Sequence, residues 1–141
     1  MTEVVLDASV VLKWFRADGE RHLGPARSLR ATFEAGHLTV FAPLLLNLEI
    51  VNVAGRRWHW SESALAELAA ALAELGFEWI EPDLPRVAYW TARGLTAYDA
   101  AYVVVAEAGA MRLVTDDDRI VAVAGEVATA LAGLDQAGTA G

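Results

Sequence analysis

The chain contains no cysteine. Disulfide frameworks, thiol nucleophiles and thiolate metal sites are therefore excluded. Lysine is nearly absent as well: Lys13 stands alone beside ten arginines. With 19 acidic and 11 basic residues the formal net charge is −8. A general nucleic-acid coat draws its affinity from Lys and Arg on phosphates, so that class is disfavoured. A nuclease is not, because a cation bound in an acidic pocket reverses the local sign. No apolar run reaches the ~18 residues that mark a bilayer span. The opening MTEVVLDAS lacks the basic stretch of a secretion signal, so the expected compartment is cytoplasmic, with no membrane partner. No glycine-rich phosphate loop occurs, which argues against nucleotide-driven chemistry. His22, His37 and His59 fall in no metal-ligand spacing and are expected to be surface or structural residues.

What is present reads as one globular domain. The 141 residues are 55% hydrophobic and 21% charged, enough apolar material for a core. The expected domain covers residues 1–134, followed by a flexible tail, DQAGTAG, over 135–141. Short β-branched runs predict strands at 3–6, 38–42, 77–80 and 112–115, with an edge strand near 127–131. Helices are predicted from Ser9 as cap to Phe15, and over 23–35, stopped by Gly36. A third runs from Pro43 in the first turn to about Arg57. Others run from Ser61 to Gly76, from Asp83 to Gly94, from Thr96 to Gly109, and over 119–124. Alternation of this kind predicts an α/β architecture with a central, mostly parallel sheet of four to five strands. Ligand sites of such sheets lie outside the carboxyl ends of the strands. The five tryptophans (14, 58, 60, 79 and 90) are expected mainly in the core.

The chemistry is carried by acids set against apolar sequence. Asp7 closes VVLD, Glu49 interrupts LLLNLEIVNV, Asp99 precedes AAYVVVA, and Asp116-Asp117-Asp118 follow RLVT. A carboxylate beside buried surface is costly unless something pairs with it, and basic residues are scarce nearby. Hard oxygen ligands suit Mg²⁺ or Mn²⁺. Each acid has a plainer explanation. Asp7 is a good helix cap, although Ser9 offers an alternative. Glu49 shares a helix face with Asn52 and Arg56, a polar stripe that solvent alone would justify. Asp99 stands three residues after Thr96, a capping-box arrangement that also suits the helix dipole. The Asp triplet suits a turn and helix start.

Taken in order, the segments VVLDASVVLKWF, APLLLNLEIVNVAGRR, LTAYDAAYVVVAEAGA and LVTDDDR resemble the PIN-domain ribonucleases, most closely the VapC-type toxins of type II toxin–antitoxin pairs. The resemblance spans residues 4–119. It implies a PIN-like three-layer α/β/α sandwich and a Mg²⁺- or Mn²⁺-dependent endoribonuclease. Asp7, Glu49, Asp99 and Asp117 match the family's four acids as catalytic and metal-binding residues. Asp116 and Asp118 compete for the fourth place. Ser9 and Thr115 match recurrent hydroxyls beside the first and fourth acids, and Asn52 and Asp116 count as supporting residues. Arg56 and Lys13 are the candidate contacts to the RNA backbone. The implied partners are RNA, a cognate antitoxin whose arm enters the acidic site, and a second copy in a homodimer. Two other classes stay open on the residues alone. One is a metal-dependent phosphatase with Asp7 as nucleophile, though Ser9 stands where it would need a second acid. The other is a binding module whose acids hold a structural cation.

Overall fold

A computed structural model describes residues 2–16 and 18–136. The elements run β1 (Thr2–Leu6), α1 (Ala8–Phe15), α2 (Leu23–Glu34), β2 (Leu38–Ala42), α3 (Leu45–Arg56), α4 (Glu62–Ala73), β3 (Glu78–Trp79), α5 (Leu84–Ala92), α6 (Ala97–Ala108), β4 (Arg112–Thr115), α7 (Asp118–Ala124), β5 (Ala128–Ala130) and α8 (Leu131–Gln136). The five strands form one sheet in the order β3-β2-β1-β4-β5, and every pairing is parallel. In register, Val4 lies between Val40 of β2 and Arg112 of β4.

This order has a direct consequence. The chain moves outward from β1 to β2 to β3, then crosses back to β4 and on to β5. Crossovers between parallel strands are right-handed, so the two directions of travel place their helices on opposite faces. The result is the α/β/α sandwich of a PIN-like fold. The reversal falls between β1 and β4, the topological switch point where such sheets open a crevice at their carboxyl ends. Leu6 and Thr115 end those two strands.

Burial explains the apolar runs. Val5 and Leu6 of β1 and Leu113 of β4 are fully enclosed. Helix α6 is buried from Ala100 through Ala106, so it is apolar on every side and packs across β1, β2 and β4. Trp14 and Trp90 are core residues, while Trp58, Trp60 and Trp79 pack against the core partly exposed. Trp14 lies against Phe33 and Phe77 and donates from Nε1 to the Ala26 carbonyl at 2.9 Å.

Some boundaries differ from expectation. Helix α1 starts two residues earlier, with Asp7 rather than Ser9 as its cap. Pro43 precedes α3, whose cap position is Leu44. Strand β3 keeps only two residues, because it pairs with β2 alone, through Phe41 and Ala42. Of the tail expected over 135–141, the first two residues end α8, which packs on α2, and residues 137–141 lie outside the described part. Ala130, which precedes LAGLDQ, is not a capping residue and Gly133 interrupts the segment, so nothing local announces that helix.

Candidate functional site

Asp7 leaves β1 with extended backbone (φ −91°, ψ 177°) and is 4% exposed. Its Oδ1 accepts from Ser9 N at 3.1 Å and from Ser9 Oγ at 2.6 Å. Its Oδ2 accepts from Thr115 Oγ1 at 2.5 Å. Each hydroxyl is in turn an acceptor for the turn that follows β4: Asp116 N donates to Ser9 Oγ at 2.8 Å, and Asp117 N donates to Thr115 Oγ1 at 3.0 Å. Two backbone amides thus hold two hydroxyls, and the two hydroxyls hold the two carboxylate oxygens. A hydroxyl has one proton to give, so this arrangement fixes both hydroxyl protons on Asp7. The relay stitches the β1–α1 loop to the β4–α7 turn across the switch point.

Thr115→Val keeps the shape but removes one relay hydroxyl from a fully buried position. It leaves Asp7 Oδ2 and the Asp117 amide without this partner. The expected loss is about 1–3 kcal/mol of stability, read by urea unfolding; an unchanged midpoint would contradict the relay's structural weight.

The other acids arrive on helices. Thr96 caps α6 by accepting from Asp99 N at 3.0 Å, which places Asp99 in the first turn, half-buried. Glu49 lies in the second turn of α3 and accepts from Tyr102 Oη at 2.5 Å. Asp117 caps α7, its Oδ1 accepting from Arg119 N at 2.9 Å. These carboxylates feel one another. Burial drives the Asp7 carboxyl up to about 7 against the opposing Ser9 and Thr115 bonds, and the charges of Asp99 and Glu49 add to the rise. Glu49 is raised by burial and by Asp99, with the Tyr102 bond opposing. Asp99 is raised by burial and by Asp117, with Thr96 and Arg119 opposing. Asp7, Glu49, Asp99 and Asp117 therefore form one electrostatic cluster, drawn from four separate segments. Among the described residues no group of three or more His, Asp or Glu side chains is placed to hold a metal ion as it stands.

Asp116 belongs to a different cluster. It lies 3.1 Å from Lys13 Nζ, 3.7 Å from Arg21 Nε and 2.8 Å from His22 Nδ1. Burial pushes its carboxyl up, but the His22 and Lys13 contacts outweigh this and hold it below the usual carboxylate range. His22, at the head of α2, adopts a left-handed backbone (φ 58°) that a non-glycine residue takes only with local support. Its bond to Asp116 supplies that support.

Lys13 departs from its expected place at the RNA. Its side chain is 3% exposed and its ammonium is bonded to Glu20 and Asp116, both at 3.1 Å, so it is an internal tie between α1, the loop before α2 and the β4–α7 turn. A lysine stem on an apolar helix face reaches inward here, which a sequence pattern does not display. Arg56 and Asn52 are exposed on α3, and Asp118 is exposed in the first turn of α7. Among the described residues no hydrogen bond ties any of these three side chains to the acids.

Two residues absent from the sequence reading enter the site. Tyr102 is 1% exposed and bonds Glu49. Its signal was its position three residues after Asp99, on the same helix face. Arg119, exposed at the start of α7, lowers the Asp99 carboxyl by its charge.

A parallel sheet with an acidic cluster at its switch point defines the class: an α/β domain with its candidate site at the carboxyl ends of β1 and β4. The PIN domain family matches residues 4–126, and the chain belongs to that family. Among solved structures, PAE2754 from Pyrobaculum aerophilum is similar, with TM-score 0.66 and 26% identity over 94% of this chain and 93% of that one. VapC20 from Mycobacterium tuberculosis, a sarcin-ricin loop cleaving toxin, has TM-score 0.66 and 18% identity over 86% and 95%. A toxin–antitoxin complex from Klebsiella pneumoniae has TM-score 0.56 and 16% identity over 91% and 97%. No curated protein matches the chain. Among the described residues no helix is long and apolar enough to cross a membrane.

Proposed function

We propose that this protein is a metal-dependent endoribonuclease and the toxin of a type II toxin–antitoxin pair. The observation that carries the reading is the cluster of Asp7, Glu49, Asp99 and Asp117 at the switch point of a PIN domain, three of them with raised carboxyl pKa values and with Arg119 as the cation acting on Asp99. Carboxylates that disfavour one another's ionisation are a ready donor set for a hard divalent cation, which would satisfy them together. The donor chemistry fits Mg²⁺ or Mn²⁺, with Asp7 and Asp99 as main ligands and Glu49 and Asp117 acting directly or through water.

When bound, the metal would supply an activated water and charge stabilisation at the phosphate. The chain's own residues do the rest. The Ser9 and Thr115 hydroxyls hold Asp7 in one orientation, so its lone pairs need no reorganisation on binding a cation. Thr96 sets Asp99 at the open end of α6. Arg119 and Arg56 are exposed guanidinium groups suited to RNA phosphates.

The similar folds of VapC20 and of the Klebsiella pneumoniae complex support RNA as substrate and an antitoxin as partner. A basic antitoxin side chain would be attracted to this acidic cluster. Exposed Leu44, Leu48, Ile80 and Leu84 offer apolar area for a homodimer or for the antitoxin. The cytoplasm, where RNA is found, is the compartment this reading requires.

The test is cleavage of single-stranded RNA by purified protein freed of any antitoxin. Cleavage with Mg²⁺ or Mn²⁺, lost in EDTA and restored by excess metal, is the expected result. Cleavage that persists in EDTA would contradict metal dependence. A phosphate ester hydrolysed while RNA stays intact would favour the phosphatase, and metal-dependent melting without cleavage would favour the cation-held binding module.

A further inference from the structure

We infer that Tyr102 is a positioning residue for the metal site, acting through Glu49; the inference rests on the metal-dependent reading above. Glu49 needs such help. Its side chain is long and flexible, it sits on a helix otherwise rich in leucine, and no basic residue neutralises it among the described contacts. A glutamate left free there gains hydration by swinging outward, at a cost in rotamer freedom if it is to stay in.

Tyr102 removes that choice. Its ring is locked in the core, 1% exposed, in the part of α6 that is buried on all sides. The phenol oxygen donates to Glu49 Oε1 at 2.5 Å. The ring has few rotatable bonds, so the donor is pre-set, and the bond draws Glu49 of α3 toward the helix that also carries Asp99, one turn before Tyr102. One oxygen of Glu49 is thereby occupied and the other left for a ligand. This is the arrangement in which an outer partner orients a ligating carboxylate.

The test compares wild type, Tyr102→Phe, Glu49→Gln and the double variant, with Mn²⁺ binding followed by electron paramagnetic resonance and RNA cleavage measured in parallel. Phenylalanine retains the ring and its packing, and circular dichroism melting checks the fold. Tyr102→Phe is expected to weaken Mn²⁺ binding about tenfold or more. In the Glu49→Gln background the same change is expected to add nothing, which a merely structural role would not produce. Equal Mn²⁺ affinity in wild type and Tyr102→Phe, or full additivity in the double variant, overturns the role of Tyr102 alone. A wild type that neither binds Mn²⁺ nor cleaves RNA overturns the metal-dependent reading, and the role of Tyr102 with it.

Discussion

Above pH 7 and without added metal, Asp7→Asn is expected to melt at a higher temperature than wild type, and to have lost RNA cleavage. The stability gain follows from where Asp7 sits. Its carboxyl titrates near 7 in the fold against 3.8 in an unfolded chain, because burial disfavours the charge more than Ser9 and Thr115 favour it. Between those values the folded state holds a proton that the unfolded state has released. Stability therefore falls as pH rises through that window, and the full cost is present above about 7. The size is on the order of 2–4 kcal/mol. Asparagine carries no charge and still fits the relay. Its oxygen can accept from Ser9, and its amide can donate to Thr115, whose hydroxyl oxygen has one lone pair beyond the one taken by the Asp117 amide.

The gain should fade as pH falls toward 3.8 and vanish below it, where the wild-type carboxyl is protonated in both states. It should shrink in saturating Mg²⁺, since the metal stabilises only a protein that binds it. Melting curves of both proteins across pH, with and without metal, read all of this. A variant less stable than wild type above pH 7 in EDTA would contradict the account of Asp7 as a carboxylate whose charge burial disfavours.

Asp99→Asn is expected to lower the cleavage rate by about a thousandfold or more, equivalent to roughly 4 kcal/mol of transition-state stabilisation. The substitution keeps the backbone amide that Thr96 caps, so helix α6 has no reason to move. It removes one of two proposed main ligands and relieves the repulsion from Asp117. Asp99 is half-buried, and its loss should cost little stability. Purified Asp99→Asn that cleaves within tenfold of wild type would remove Asp99 from the proposed ligands.

Why some of this was readable in sequence and some not has a physical basis. Caps and stops are local chemistry, so the Thr96, Ser61 and Asp83 helix starts and the parallel strand pattern stood out. Asp7 directly follows β1 and Thr115 ends β4, and the α/β rule brings such residues to the same edge. Their shared relay was not visible, because it depends on register between β1 and β4. Lys13 read as a candidate contact to the RNA backbone; its partner Asp116 lies near the other end of the sequence. Asp116 competed with Asp117 for the fourth place; its Lys13, Arg21 and His22 contacts, set against the coupling of Asp117 to Asp99, are not visible in sequence. Tyr102 was hidden in AAYVVVA, where an aromatic side chain reads as core, and its ring is indeed core. Only its oxygen belongs to the site.

The most direct test of the central claim is to map new RNA 5′ ends across a bacterial transcriptome after induction of wild type and of Asp99→Asn. Sharp, recurrent ends with wild type and none with the variant are predicted, and their positions would identify the RNA that is cut. Identical maps from two soluble proteins free of copurifying antitoxin would contradict catalysis by this acidic cluster.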